Sequence, residues 1–387
     1  MVAIDGLKST GRSIPISRIR ELANLHMGNE DLIPLWFGEP DVSTPEFIIK
    51  TAHQAMLAGK TTYNEGLGKP WLRLGIADYM SQLYGSNISG DRIAITVSGT
   101  NAVNLAFQLL MSPGDPVVTT TPAFPTLMTV PELQQAKLDT IPLQPSPNGW
   151  TLDMRSLLEK TARAKILLLN SPNNPTGWTM SLEEMQAVLN VARESGCWII
   201  SDEVYARIVF DGKAAPSFAE IAKPEDRVIV VNSFSKSWAM TGWRLGWLTL
   251  PNSLVPECEK LMEFSMSCAP EFVQAGGLEA IQNGEPFIKG EIAKYRRGRD
   301  IAIERLSAMP GVTVIPPHAA FYAFFQIDGI ENDTKLAEEI AVKAKVGIAP
   351  GSAFDPSLKN WFRVCFAKDA ALLETAFDRL EKFLCSR

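Results

Sequence analysis

The chain has 387 residues, of which 46% are hydrophobic, and carries a formal net charge of -6. That length holds one large or two ordinary domains, and that hydrophobic share supports a buried core and excludes wholesale disorder. The acidic balance argues against nucleic acid or an anionic membrane surface as a main partner.

Five cysteines, Cys197, Cys258, Cys268, Cys365 and Cys385, are scattered without a CxxC pair, so neither a disulfide framework nor a zinc site is expected. His26, His53 and His318 lie far apart and show no ligand spacing, so no metal is expected. The opening "MVAIDGLKSTGRS" has no apolar leader, and no uninterrupted apolar run is long enough to span a bilayer. These features lead to an expectation of a cytoplasmic protein.

In chain order, "IAITV" (93–97) reads as a strand, "NAVNLAFQLLM" as a helix, and "PVVTTT" as a strand after the break at "SPGD". The rhythm returns with "AKILLLN", the helical "SLEEMQAVLNVARESG", "CWIISDEVY" and "RVIVVNSFSK". Continuous apolar strands separated by helices predict a mostly parallel sheet buried on both faces, with ligands bound beyond the carboxyl ends of its strands. From about residue 254 the pattern turns helical. It then gives short strands at "GVTVI", "AFYAFF" and "WFRVCFA" around the helix "TKLAEEIAVKAK", as an α+β unit would. The expected division is an N-terminal segment, 1–44, packing with the small domain, a large domain over 45–285, and a small C-terminal domain over 286–387.

Three strand ends carry unusual chemistry. "LLLN" runs into "SPNNPTG", "WIIS" into "DEVY", and "VIVVN" into "SFSK". Singly, each has an ordinary explanation in turn, cap or loop chemistry. Together they deliver Asn, Asp, Tyr and Lys to one edge of one sheet. A lysine beside carboxylate, phenol and amide groups suits a Schiff base with pyridoxal phosphate, whose ring nitrogen needs a carboxylate and whose phosphate needs a cation. A carboxylate about 4 Å from that nitrogen is worth roughly 4 kcal/mol at an effective dielectric of 20, or about three pK units.

The chain resembles the class I/II aminotransferases of the fold-type I pyridoxal-phosphate enzymes, in the subfamily that includes aspartate, aromatic and alanine aminotransferases. The quartet "SPNNPTG", "SDEVY", "SFSK" and "GWRLG" carries the resemblance, which runs from "WFGEPDVSTPEFI" to "WFRVCFA". It implies that Lys236 is the Schiff-base lysine and the base that moves the α-proton. Asp202 then pairs with the pyridine nitrogen, and Asn174 and Tyr205 hydrogen-bond the ring oxygen. Arg244, Ser233 and Ser235 hold the phosphate, and arginine suits that task because its fork is bidentate and always charged. The family's phosphate cup falls on Gly99, Thr100 and Asn101, and Phe124 matches the aromatic stacked on the ring. Tyr63 matches a tyrosine that reaches the phosphate of the neighbouring subunit, which implies a homodimer with shared sites. Arg363 matches the arginine that grips the substrate α-carboxylate, with Asn174 and the backbone of Gly38 beside it.

Two departures bear on the substrate. "PPHAAFY" stands where "PEGAFY" is usual, so Ala319 replaces a more permissive glycine and a re-routed loop is expected there. Asn101 stands where aspartate-using members often carry lysine, leaving Arg12 or Arg18 as substitutes for that cation. With Ile14, Ile16, Trp36 and Phe37 near the expected mouth, a neutral or aromatic amino donor is expected in preference to aspartate. Ping-pong transamination between an L-amino acid and a 2-oxo acid is the leading reading. The same residues would also serve a C–S lyase or a cyclopropane-forming synthase. A non-catalytic regulator is disfavoured, because the resemblance begins by about residue 13 and leaves no helix-turn-helix domain in front.

Overall fold

The computed structural model describes residue 14 and residues 16–386. Its strands in chain order are β1 (Ile33–Pro34), β2 (Ile93–Thr96), β3 (Pro116–Thr121), β4 (Lys137–Pro142), β5 (Gln144–Ser146), β6 (Gly149–Thr151), β7 (Ile166–Asn170) and β8 (Trp198–Asp202). They continue with β9 (Val228–Ser233), β10 (Gly246–Thr249), β11 (Val312–Ile315), β12 (Tyr322–Ile327), β13 (Val346–Gly347), β14 (Ala349–Pro350) and β15 (Trp361–Cys365). Seven of them form one sheet in the order β2-β10-β9-β8-β7-β3-β4. The strands pair in parallel except β10, which runs antiparallel to both β2 and β9.

Both faces of this sheet are covered, and β7 shows why its sequence has no polar alternation. Ile166 and Leu168 pack in one core with Ala102, Leu105 and Ala106 of the helix Gly99–Leu110. Leu167 and Leu169 point the other way, into a second core with Met185, Val188 and Leu189 of the helix Leu182–Ser195. A strand buried on both sides reads as a continuous apolar run. The second of these helices starts where expected, with a capping box in which Ser181 and Glu184 exchange hydrogen bonds.

The later part of the chain forms an antiparallel sheet, β11-β12-β15-β14, backed by the helices Glu285–Ala308 and Ala370–Cys385. β1 joins this part through parallel pairing with β13. One local expectation is revised. The stretch "TKLAEEIAVKAK" is helical over Asp333–Glu339 but widens to a π turn over Ile340–Ala344. The strand β10, Gly246–Thr249, has no reading in the sequence, where four residues opening on glycine leave no period. Among the described residues, no helix is long and apolar enough to cross a membrane.

Gly246 opens β10 at a close crossing. A Cβ built there would lie 2.8 Å from the Asn232 carbonyl oxygen and 2.9 Å from the Gly99 nitrogen, both backbone atoms that cannot turn aside. Gly246→Ala is therefore expected to destabilise the fold by about 1–3 kcal/mol, the usual cost of overpacking. Denaturant unfolding measures it, and an unchanged midpoint would show that the crossing can relax.

Candidate active site

The carboxyl ends of β7, β8 and β9 open into a cavity of 1320 Å³. Polar residues enter these strands where they meet it: Asn170 ends β7, Asp202 ends β8, and Ser233 ends β9. Asn170 and Asp202 are register partners. The Asn170 amide donates to the Asp202 carbonyl at 3.0 Å, and its oxygen accepts the Asn174 N–H at 2.9 Å. One buried amide thus ties the "SPNN" turn to the end of β8.

The Asp202 carboxylate is buried and accepts one hydrogen bond from the protein, from the Val204 N–H at 3.3 Å. Burial pushes its carboxyl up to about 7, against the weaker pull of that bond and of the Lys236 charge. Lys236 sits on the short helix Phe234–Ser237 directly after β9, and its Nζ donates to the Gly38 carbonyl at 2.7 Å. Burial, together with the Arg363 and Arg244 charges, pushes its pKa down to about 8, although Cys365 and Glu39 oppose the shift.

Arg363 lies mid-strand in β15, opposite Phe324 and Ala349, and is almost fully buried. Its Nη1 donates to the Asn174 side-chain oxygen at 2.8 Å, and its Nη2 donates to the Trp36 carbonyl. Its guanidinium stands over the Tyr322 ring at 4.3 Å and near the Phe354 ring at 4.8 Å. The Nε is buried without a hydrogen-bond partner, and none of the ion pairs among the described residues includes Arg363. A guanidinium held by one carbonyl and one amide oxygen, with its Nε–H idle and a second hydrogen on each Nη, is ready for a carboxylate.

Tyr205 is buried beside it, its hydroxyl 2.7 Å from that of Tyr322, and burial next to this second phenol raises its pKa well above the ordinary value. Gly38 is needed where it stands, since a Cβ there would come 1.8 Å from the Tyr322 hydroxyl oxygen.

The phosphate-type elements converge on the same cavity. Ser98 caps the helix Gly99–Leu110 with φ 148°, a strained value for a residue with a side chain. Its hydroxyl takes the Asn101 N–H at 3.0 Å, and Gly99 and Thr100, whose N–H groups open the helix and have no intrahelical partner, line the cavity. Ser233 accepts the Ser235 N–H at 3.1 Å, and the two hydroxyls stand 2.9 Å apart. Arg244 adopts a left-handed conformation, φ 52°, with Nη1 on the Thr241 carbonyl at 2.7 Å. Thr44 steadies that loop, donating to the Ala239 carbonyl at 2.6 Å and accepting from Trp243 Nε1 at 2.9 Å.

The cavity walls therefore include Lys236, Asp202, Asn174, Tyr205, Ser233, Ser235, Arg244, Gly99, Thr100, Phe124, Gly38 and Arg363. Asn101 stands apart from this group. Its side chain turns back to accept the Val97 N–H at 3.3 Å, its own N–H is capped, and it does not line the cavity. Tyr63 is 87% exposed and lies outside the cavity of its own chain. The "PPHAAFY" loop also departs from expectation. His318 Nε2 bonds the Asn148 carbonyl at 2.7 Å, the positive φ falls on Ala320 (60°), not on Ala319, and neither His318 nor Ala319 reaches the cavity. Arg18 lines the mouth with Nη1 3.2 Å from the Thr334 hydroxyl, while Arg12 lies outside the described residues. Asn170 and Tyr322 were not anticipated. Asn170 had a readable signal, a lone amide closing an apolar run.

A profile of the family "Aminotransferase class I and II" matches residues 30–380. The aspartate aminotransferase of Pyrococcus horikoshii is 35% identical over 372 residues, 95% of this chain and 94% of that protein. The aspartate aminotransferase of Thermotoga maritima is 33% identical over 97% of this chain and 98% of its own length. Among solved structures, the alanine aminotransferase of Pyrococcus furiosus superposes with a TM-score of 0.90 at 28% identity, covering 98% of this chain and 100% of that one. A match of this length, over a fold and a cavity of this kind, has one meaning: the chain belongs to the class I and II aminotransferases.

Proposed function

We propose that this cavity binds pyridoxal phosphate and uses it to move an amino group between an L-amino acid and a 2-oxo acid in two half-reactions. The Asp202 carboxylate carries this reading: it is buried, accepts one 3.3 Å hydrogen bond, and faces a cavity it shares with Lys236 and Arg363. Such a group requires a cationic partner, and a protonated pyridine nitrogen about 4 Å away would return roughly three pK units to it.

Asp202 would meet the ring nitrogen and Phe124 the ring face, with Asn174 and Tyr205 at the ring oxygen. Gly99, Thr100, Ser233, Ser235 and Arg244 would hold the phosphate. When bound, the cofactor supplies a carbonyl that condenses with amines and a cationic ring that accepts the electron pair of a broken Cα–H bond.

The remaining work falls to the chain. Lys236, with a pKa of about 8, is neutral in about one molecule in ten at pH 7, against fewer than about one in a thousand for an ordinary lysine. It can therefore act as an amine nucleophile and, once free, take the α-proton and return it. Arg363 binds the α-carboxylate with its idle Nε and one Nη. Trp36 and Asn174 keep the fork aligned, so the Cα–H bond is presented to Lys236.

The neutral-donor expectation rested on Asn101, whose side-chain oxygen is taken by the Val97 N–H, and on Ile14, Ile16, Trp36 and Phe37, of which the last three line the cavity. Arg18, at the mouth and held by a neutral threonine, offers a cation for a second carboxylate. Two relatives named as aspartate aminotransferases support the same choice, so we assign an acidic amino donor. No observation favours the C–S lyase or synthase alternative. The working unit in this reading is a homodimer, with the exposed Tyr63 reaching a neighbour's phosphate, and the domain division is 1–44, 45–285 and 286–387. The five cysteines are unpaired, in keeping with a cytoplasmic location.

Apoenzyme should capture pyridoxal phosphate at a rate that rises with pH and levels off above about pH 8, as the neutral Lys236 amine becomes the main form. Borohydride should then fix the cofactor on Lys236. A reduced adduct on another lysine, located by peptide mass, would overturn the assignment.

Asp202→Asn should slow the first half-reaction by roughly 10³-fold, the equivalent of about 4 kcal/mol, with little loss of bound cofactor. A parental single-turnover rate in that variant would place the ring-nitrogen partner elsewhere.

Aspartate should exceed phenylalanine and alanine in kcat/KM against a common acceptor. Arg18→Gln should lower the aspartate value by about ten- to a hundredfold. A preference for the neutral donors would reverse this assignment.

A further inference from the structure

Glu203 follows Asp202 in the chain, is fully buried, and has no part in the reading above. Strand geometry sends Ser201 and Glu203 to the face opposite Asp202. There Glu203 Oε1 accepts from the Ser201 hydroxyl at 2.9 Å and from the Phe218 N–H at 3.1 Å, while Oε2 accepts from the Ser217 hydroxyl at 2.5 Å. Its own N–H donates to the Val231 carbonyl of β9 at 2.9 Å, and its carbonyl accepts the Ala206 N–H at 2.9 Å.

A carboxylate is an expensive residue to bury away from a cation, and burial pushes this one up to about 7. A position that only filled space would be served better by an apolar side chain. What a carboxylate alone supplies is two acceptor atoms for three converging donors, with no donor of its own to satisfy. That arrangement pins residue 203 from side chain and backbone together. Asp202 and Tyr205 flank it on the same turn, and the side chain also borders a small space lined by Ser237 and Trp238, the two residues after Lys236.

We propose that Glu203 is a positioning residue for the transamination: anchored by three donors behind the sheet, it fixes the turn that aims the Asp202 carboxylate and the Tyr205 hydroxyl into the cavity. The inference rests on the roles proposed above for those two residues.

The test compares holoenzyme carrying Glu203→Ala, Glu203→Gln and Ser217→Ala. The readouts are the single-turnover rate per bound cofactor, the donor KM, and the pH midpoint of the bound cofactor's visible band. Glu203→Ala should cut the rate by about tenfold or more, since small misplacements cost that much, while KM stays within about twofold. It should also move the band's midpoint by at least about half a pH unit, reporting a displaced ring partner. Glu203→Gln, which keeps one acceptor oxygen for the Ser201 and Phe218 donors but turns an N–H2 toward the Ser217 hydroxyl, should recover part of the rate, and Ser217→Ala should fall between Glu203→Ala and the parent. A folded Glu203→Ala protein with parental rate and band overturns the proposal, as does a loss that only follows cofactor content. If Glu203→Ala does not fold, a parental rate and band in Ser217→Ala overturn it equally. An Asp202→Asn variant with parental rate would instead remove the reading of the site itself. Impairment in Asp202→Asn with parental Glu203 and Ser217 variants would remove only this inference.

Discussion

Ionic side chains buried without a counter-charge are the constraint on which the rest of this structure depends. Asp202 accepts one hydrogen bond, and Arg363 is almost fully buried with its Nε unpartnered. Each would cost several kcal/mol in a sealed core. They are tolerable because they border one cavity, where an ionic ligand can meet them. Lys236 responds to the same environment by shifting toward its neutral form. The chemistry of the site follows from that shared burial.

The fold supplies the burial by layering. Helices cover both faces of the seven-stranded sheet, so its strands can be apolar along their length and polar only where they end. β10 adds a second requirement. By returning antiparallel beside β9, it sets Gly246 opposite Ser233 and closes the loop that carries Lys236 and Arg244. The second sheet contributes Arg363 from mid-strand, where the pairing with Phe324 and Ala349 holds its backbone rigidly. Groups distant in sequence are thereby held on stiff elements.

Much of this was legible because period and punctuation coincide at the strand ends. An apolar run that stops at Asn, Asp or Ser marks both a strand end and a polar wall, and the family resemblance then assigned roles to Lys236, Asp202 and Arg363. What escaped was long-range or conformational. The Asn101 side-chain oxygen is taken by the Val97 N–H, a contact set by the tight start of its helix and not by residue type. The Tyr322 hydroxyl meets Tyr205 across 117 positions, and no local pattern announces such a pair. The "PPHAAFY" departure was visible as letters. Its meaning depended on where the strained φ falls, at Ala320, one residue beyond the substituted position.

The segment from Trp36 to Gly38 lends one carbonyl to Arg363 and another to Lys236. Two backbone dipoles therefore do, inside the protein, what water would do in an open cleft. A carboxylate arriving at Arg363 meets a guanidinium already partly satisfied by neutral acceptors, so only the added bonds to Nε and one Nη appear as affinity. For an enzyme whose product is another carboxylate that must leave the same guanidinium, a shallow well is an advantage. The resident carbonyl stays on the arginine throughout, so each release leaves the guanidinium with a partner already at hand.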